Sequence, residues 1–276
     1  MAATTGITGL LSATGASTTK ELIDAINPYT ASLNINSAEI DVSAFASSLV
    51  FSKYVQDLYD WNITTQGRFP TDAQAAFNCS ITQSGTDLYL TNVTGFSVDF
   101  SVPVVETTDL SASAAKTFTY GGPLQGRFTI NARVDSTTAL QLPTVALAQP
   151  GHDLTFTIGN ETTNDDVIAV DGSGGGARIL SVSPTVALGA TNDVTITGIF
   201  SGAVQIKGDN PIFAVAAAGT LEDMDLPANT SVTLQAASSR TYVGDAFWSA
   251  FSVSAQLGSA IDVSATLQGT GALTIN

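Results

Sequence analysis

Residues able to do acid–base or nucleophilic chemistry near neutral pH are few in this chain: one histidine, His152, and one cysteine, Cys79. A general base must titrate near the working pH, which makes His152 the first candidate. It sits in Pro150-Gly151-His152-Asp153, a turn ahead of a strand-like segment, where a histidine is ordinarily solvated. No Gly-x-Ser-x-Gly elbow accompanies it, so a Ser-His-Asp hydrolase is not indicated. Cys79 lies between polar neighbours without a basic residue to lower its pKa, which marks an inert thiol. One Cys and one His exclude a soft metal site and leave oxygen ligands for calcium. The carboxylate clusters Asn164-Asp165-Asp166 and Glu222-Asp223-Met224-Asp225 lack the alternating Asp-x-Asp-x-Asp-Gly pattern and read as hydrated loops. The glycine run at 172–176 has no Lys-Ser/Thr after it and is not a phosphate loop. Trp61 and Trp248 stand in apolar or strand-like contexts and fit core packing better than sugar stacking. The expectation is a non-enzymatic chain with no cofactor and no metal.

Composition points from chemistry toward assembly. Of 276 residues only 12% are charged, and Ser, Thr, Gly and Ala fill the polar and small positions. So low a charge density on a soluble chain is expected where much of the surface is covered by further copies. The balance of 24 acidic to 9 basic residues gives a net charge of −15, which opposes gripping nucleic acid through its phosphates. A conduit past which DNA slides would nevertheless gain from a wall that repels it. The single cysteine excludes an intramolecular disulfide. The segment Met1 to Leu11 has no basic start, and no apolar run approaches 18 residues, so neither a secretion signal nor a membrane span is expected.

The elements that would position these residues follow a period of two. It is visible in Leu33-Asn34-Ile35-Asn36, Glu39-Ile40-Asp41-Val42, Leu88-Tyr89-Leu90, Phe96 to Phe100, Arg127 to Ile130, Leu154 to Ile158, Asp193 to Thr197, Ser231 to Leu234, Phe251 to Val253 and Ile261 to Val263. Short strands separated by Gly, Pro, Asn and Asp turns predict an all-β, mainly antiparallel sandwich or barrel. Thr18 with Glu21 forms a capping box ahead of Leu22, Ile23 and Ile26, with Pro28 as the stop, and predicts a short helix. A second helix of one or two turns is expected over Asp72 to Phe77. Residues 1–30 then form an N-terminal arm and 31–276 the β region, as one unit or as two similar units at about 31–150 and 151–276. Gln66-Gly67-Arg68-Phe69 recurs as Gln125-Gly126-Arg127-Phe128, an offset of 59 residues that leaves a duplication open.

Two stretches resemble a known family: Asn36 to Phe45, which ends Val42-Ser43-Ala44-Phe45, and Tyr54 to Phe69, which contains Leu58-Tyr59-Asp60-Trp61. The pattern is similar to the major tail tube proteins of long-tailed (siphovirus-like) bacteriophages. There a strand ending in a Val-Thr-x-Phe-like motif is followed by an excursion and a Gly-Leu-x-Asp-Trp-like motif. Gln56 and Asp57 stand where that glycine is expected, leaving Leu58, Asp60 and Trp61 as the match, followed by Asp72-Ala73-Gln74. Phe251 to Leu273, with Gly269-Thr270-Gly271, resembles the closing strands; the middle, 100 to 245, matches only loosely.

The resemblance implies a tail-tube-like β-sandwich with short helices, whose inner sheet joins neighbours around a ring of six sandwich units. That ring is a hexamer with one unit per chain, or a pseudo-hexameric trimer with two. Rings stack into a tube in the virion, with tape-measure and terminator proteins as partners, and DNA passes without specific binding. The excursion from Ala46 to Asp60 would reach the adjacent ring through Leu49, Val50, Phe51, Tyr54, Leu58 and Trp61. Asp41, Asp99 and Asp262 are the candidates for lumen-facing carboxylates. Another virion structural protein, a capsid decoration or tail-associated one, and a β-sandwich glycan-binding adhesin are the alternatives.

Overall fold

The computed structural model describes residues 11–14, 19–20, 28–41, 54–68, 77–83, 86–88, 93–109, 115–134, 153–158, 166–170, 176–185, 192–201, 204–207, 230–237 and 240–276. These form eighteen strands: β1 Leu11–Thr14, β2 Thr19–Lys20, β3 Pro28–Asp41, β4 Tyr54–Arg68, β5 Phe77–Gln83, β6 Thr86–Leu88, β7 Val93–Ser101, β8 Val104–Glu106, β9 Phe118–Tyr120, β10 Gln125–Val134, β11 Asp153–Ile158, β12 Asp166–Val170, β13 Ala177–Thr185, β14 Asn192–Phe200, β15 Val204–Lys207, β16 Thr230–Ala237, β17 Arg240–Gln256 and β18 Asp262–Ile275. The fold is all-β and every strand pairing is antiparallel. All ten alternating segments of the sequence contribute to strands; in Phe96 to Phe100, for example, one face buries apolar side chains while the other meets water.

The large sheet runs β13-β14-β10-β7-β17-β18-β4-β3 without interruption. Strand β17 is long enough to serve two neighbours on one side. Its residues 240–246 pair with β16, which carries β1 and β2, while residues 250–256 pair with β7. Register shifts between Val243 and Asp245 and between Trp248 and Ala250 divide the two halves. A bulge is the means by which one strand turns from one partner to another. A five-stranded sheet, β15-β12-β11-β5-β6, covers the apolar face of the large one, and β8 and β9 make a separate ribbon. Phe156 of β11 seats its ring 4.8 Å from Phe96 of β7 and 6.2 Å from Phe128 of β10, joining the two layers into one core. Both sheets take strands from either side of residue 150, as where β5 pairs β11 and β10 pairs β14, so 31–150 and 151–276 are not separate sheets.

Two local expectations, both of helices, are corrected. Thr19 and Lys20 are strand residues paired with Thr14 and Ala13, and Pro28 opens β3; residues 21–27 of the expected helix lie outside the described residues. Phe77 belongs to β5, and the rest of the second expected helix also lies outside them. Tyr54 to Asp60, the end of the expected excursion, pairs along β3, with Asp41 opposite Tyr54 and Asn36 opposite Asp60. What separates these strands is residues 42–53, which again fall outside.

Candidate functional site

The long sheet has one apolar and one polar face, and the polar one holds the surface chemistry of the described residues. Strand alternation aims Phe96, Val98 and Phe100, Phe128 and Ile130, and Val263, Ala265 and Leu267 into the core. It aims Ser97, Asp99 and Ser101, Thr129 and Asn131, and Ser264 and Thr266 the other way. Short hydrogen-bonding groups knit this face across the strands. The Ser181 and Thr197 hydroxyls lie 2.7 Å apart and those of Ser252 and Ser264 3.0 Å apart. Thr195 Oγ1 donates to Asn131 Oδ1 at 2.9 Å, and Asn34 Nδ2 to Asn62 Oδ1 at 3.0 Å. Each such cross-strand pair contributes about 0.2–1 kcal/mol. Together they spend the polar groups on one another.

Charge on this face is nearly balanced. Arg133 stands opposite Asp193, Arg127 opposite Asp99 and Arg68 opposite Asp262 in the strand register. Arg133 Nε lies 3.8 Å from Asp193 Oδ1 and Arg68 Nε 3.9 Å from Asp262 Oδ1. Arg178, Asp60 and the exposed Asp245, which stands opposite Thr270, complete the set: four basic residues against five acidic ones, a net of −1 on a chain of net −15. Partial desolvation raises the Asp99 carboxyl above the usual carboxylate range, and a hydrogen bond from Ser252 pulls the other way. Beside Asp99 the small side chains of Ser101, Ala250 and Ser264 leave a shallow depression of about 220 Å³ rimmed by Arg127, Gln125 and Thr266.

Of the expected lumen carboxylates, Asp99 and Asp262 share this face; Asp41 ends β3, and its side chain is not among those described. At both of these positions the carboxylate stands opposite an arginine in the strand register.

Among the expected contacts between rings, Trp61 is corrected. It is 1% exposed and wedged between β17 and β18, where a side chain at Gly244 or Gly269 would run into the indole. Its Nε1 donates to the Gly271 carbonyl at 3.0 Å, and Gly271 takes a positive φ of 76° to present it. The Tyr59 hydroxyl accepts from the Leu273 amide at 2.9 Å in the same latch. Leu58 is half-buried, Tyr54 lies in β4, and Leu49, Val50 and Phe51 lie outside the described residues. His152, residues 222–225 and Asn164-Asp165 also lie outside them. Cys79 is buried at 3% exposure, and burial pushes its thiol pKa up, the opposite of an activated nucleophile.

What the sequence did not disclose is the arginine set. Its signal was the repeated Gln-Gly-Arg: in both copies the glycine is buried and the arginine stands out on the polar face, opposite an aspartate. One copy ends β4 and the other begins β10, so the repeat marks a shared local task.

The edges of the long sheet are the second feature. Among the described residues β3 pairs only with β4 and β13 only with β14. Each carries an exposed aliphatic side chain, Ile35 at 49% and Leu180 at 54%. Beyond Tyr59, β3 and β4 continue as a two-stranded arm, next to which Ala115 and Lys116 enter between β4 and β18. The Lys116 amide donates to the Tyr59 carbonyl at 2.9 Å, and its carbonyl accepts from the Gly271 amide at 2.9 Å. Lys116 Nζ reaches Glu106 at 3.4 Å and Asp57 at 3.9 Å, which ties the β8–β9 ribbon to the base of this arm.

No family model matches this chain, and a search of the curated proteins finds no match. Among solved structures the chain is similar to the tube-terminating cap of the anti-feeding prophage, known from electron cryomicroscopy, at 15% identity and a TM-score of 0.33. The likeness covers 48% of this chain and 88% of that one. At that distance it transfers neither a fold nor a role.

Proposed function

We propose that this chain is a structural protein of a phage tail, and within the tail a tube protomer that joins copies of itself into stacked rings around a passage for DNA. The observation that carries the reading is the open sheet with two terminal strands, β3 and β13. An exposed strand edge is a template for another chain, and proteins ordinarily blunt or cover it. Different edges at the two ends make a head-to-tail contact, which closes into a ring if the rotation between copies permits. Ile35 and Leu180 would then be covered at the joint, and the polar face would turn toward the centre. A single sandwich built from both halves of the chain supports six chains to a ring rather than three. The Asn36–Phe45 and Leu58–Trp61 motifs favour the tail tube over a decoration protein, and the β3–β4 arm includes residues 54–60, which the resemblance assigns to the contact with the next ring. The role is structural and not catalytic, with tape-measure and terminator proteins as further partners in the virion.

Light scattering against concentration tests the joint. The wild type should grow in mass as concentration rises, while Leu180→Asp and Ile35→Asp should each remain at the mass of one chain. Equal growth of both variants and the wild type would exclude the β3–β13 contact.

A further inference from the structure

The charge balance on the polar face asks for a reason that stability does not provide. The two close ion pairs of this face, Arg68–Asp262 and Arg133–Asp193, are exposed, with side chains 53–65% accessible, and such pairs contribute about 0–1 kcal/mol. What they set is the potential above the face. Four of the chain's five arginines lie here, although a surface meant to repel a polyanion needs none. Arg127 and Arg133 are six residues apart on β10, about 20 Å, and Arg127 and Arg68 are four strands apart, about 19 Å. Left alone, guanidinium groups spread over such a patch would bind phosphates and release counterions, which is adhesion. Three of them instead stand directly opposite an aspartate, by the same cross-strand device on three different strand pairs.

We propose that the polar face is a nearly charge-balanced, non-adhesive contact surface for duplex DNA, in which Asp99, Asp193 and Asp262 mask Arg127, Arg133 and Arg68 so that phosphates are neither gripped nor strongly driven off. The identity of the polyanion rests on the tail reading above; the masking does not. Hydroxyl and amide groups that already bond to one another offer the passing duplex few donors.

Fluorescence anisotropy of a short labelled duplex, titrated with the purified full chain between about 50 and 200 mM salt, decides the matter. The variant Asp99→Asn/Asp193→Asn/Asp262→Asn unmasks the arginines. A control, Asp87→Asn/Asp153→Asn/Asp166→Asn, makes the same charge change on the five-stranded sheet, which lies against the opposite face. The face variant should bind at least about tenfold more tightly than wild type and control, with a log–log salt slope near −3, about −0.9 for each arginine freed. Equal affinity of the face variant and the control would overturn the proposal, as would wild type binding as tightly as the face variant. A face variant that loses stability without gaining affinity would show that the pairs only fix strand register. If the triple change does not fold, Asp193→Asn/Asp262→Asn should still gain affinity, with a slope near −2. Tubes are not needed for this readout: absence of rings with gain of affinity would sink the tail reading alone, and rings without gain of affinity the masking alone.

Discussion

Replacing Gly269 by alanine should be among the most damaging single-methyl changes available in this protein. The new Cβ would point at the ring-fusion atoms of Trp61, well inside van der Waals contact, and a fused indole has no flexible end to move aside. On the other side, a Cβ at Gly244 would meet Trp61 Cζ2 at 2.5 Å, so the ring has no room to retreat toward β17. Overpacking of this kind costs about 1–3 kcal/mol. Shifting the indole also strains its hydrogen bond to the Gly271 carbonyl, worth about 1 kcal/mol. The sum, about 2–4 kcal/mol, corresponds to a fall of about 1 M or more in the urea midpoint. The transition is followed by far-ultraviolet circular dichroism. Trp61→Leu, destabilising alone because it opens a cavity, should partly rescue Gly269→Ala, the double variant being about 1–3 kcal/mol more stable than the two losses added. A Gly269→Ala midpoint within about 0.3 M of wild type, or strict additivity in the double variant, would refute the account of the latch.

Other outcomes follow from the same structure. Asp99 has a folded pKa above its ordinary value, so its ionised form costs stability; the cost is absent below the unfolded pKa and appears as pH rises through the folded one. Asp99→Asn should therefore be as stable as wild type or more so at neutral pH, and the difference should vanish under acid, as read from urea midpoints across pH. Cys79 should resist a thiol reagent in the native state and react at once on unfolding, because its sulfur is buried and its pKa raised; rapid native labelling would contradict its position. Alanine at Gly126 would press its Cβ against the Phe100 and Phe200 rings and should lower thermal stability, whereas alanine at Gly258, in an open turn, disturbs no packing and should cost only the strain of its positive φ.

Strands with alternating side chains were legible in the sequence because one-sided burial writes a period of two, as in Phe96-Ser97-Val98-Asp99-Phe100. The full length of β17 was not, since its bulge at Trp248/Ala250 breaks the alternation and only Phe251 to Val253 kept it. Glycine misled in a particular way. In sequence it punctuates turns, yet Gly126, Gly198, Gly244 and Gly269 lie inside strands as sockets for aromatic rings. Trp61 read both as a core residue and, through the resemblance, as an exposed contact; the sockets at Gly244 and Gly269 place it in the core. Charge was read as a total. A net of −15 suggested a repelling wall, but whether a given aspartate repels depends on what stands across the strand, and register is a long-range property: Asp262 meets Arg68 across 194 residues of chain.

The central claim is that copies of this chain close into rings, and electron microscopy of the purified protein over a range of concentrations tests it most directly. The account predicts hollow rings or stacked tubes of sixfold symmetry, with the polar face of the long sheet around the opening. Particles that remain single at every concentration, with and without added tail components, would contradict it.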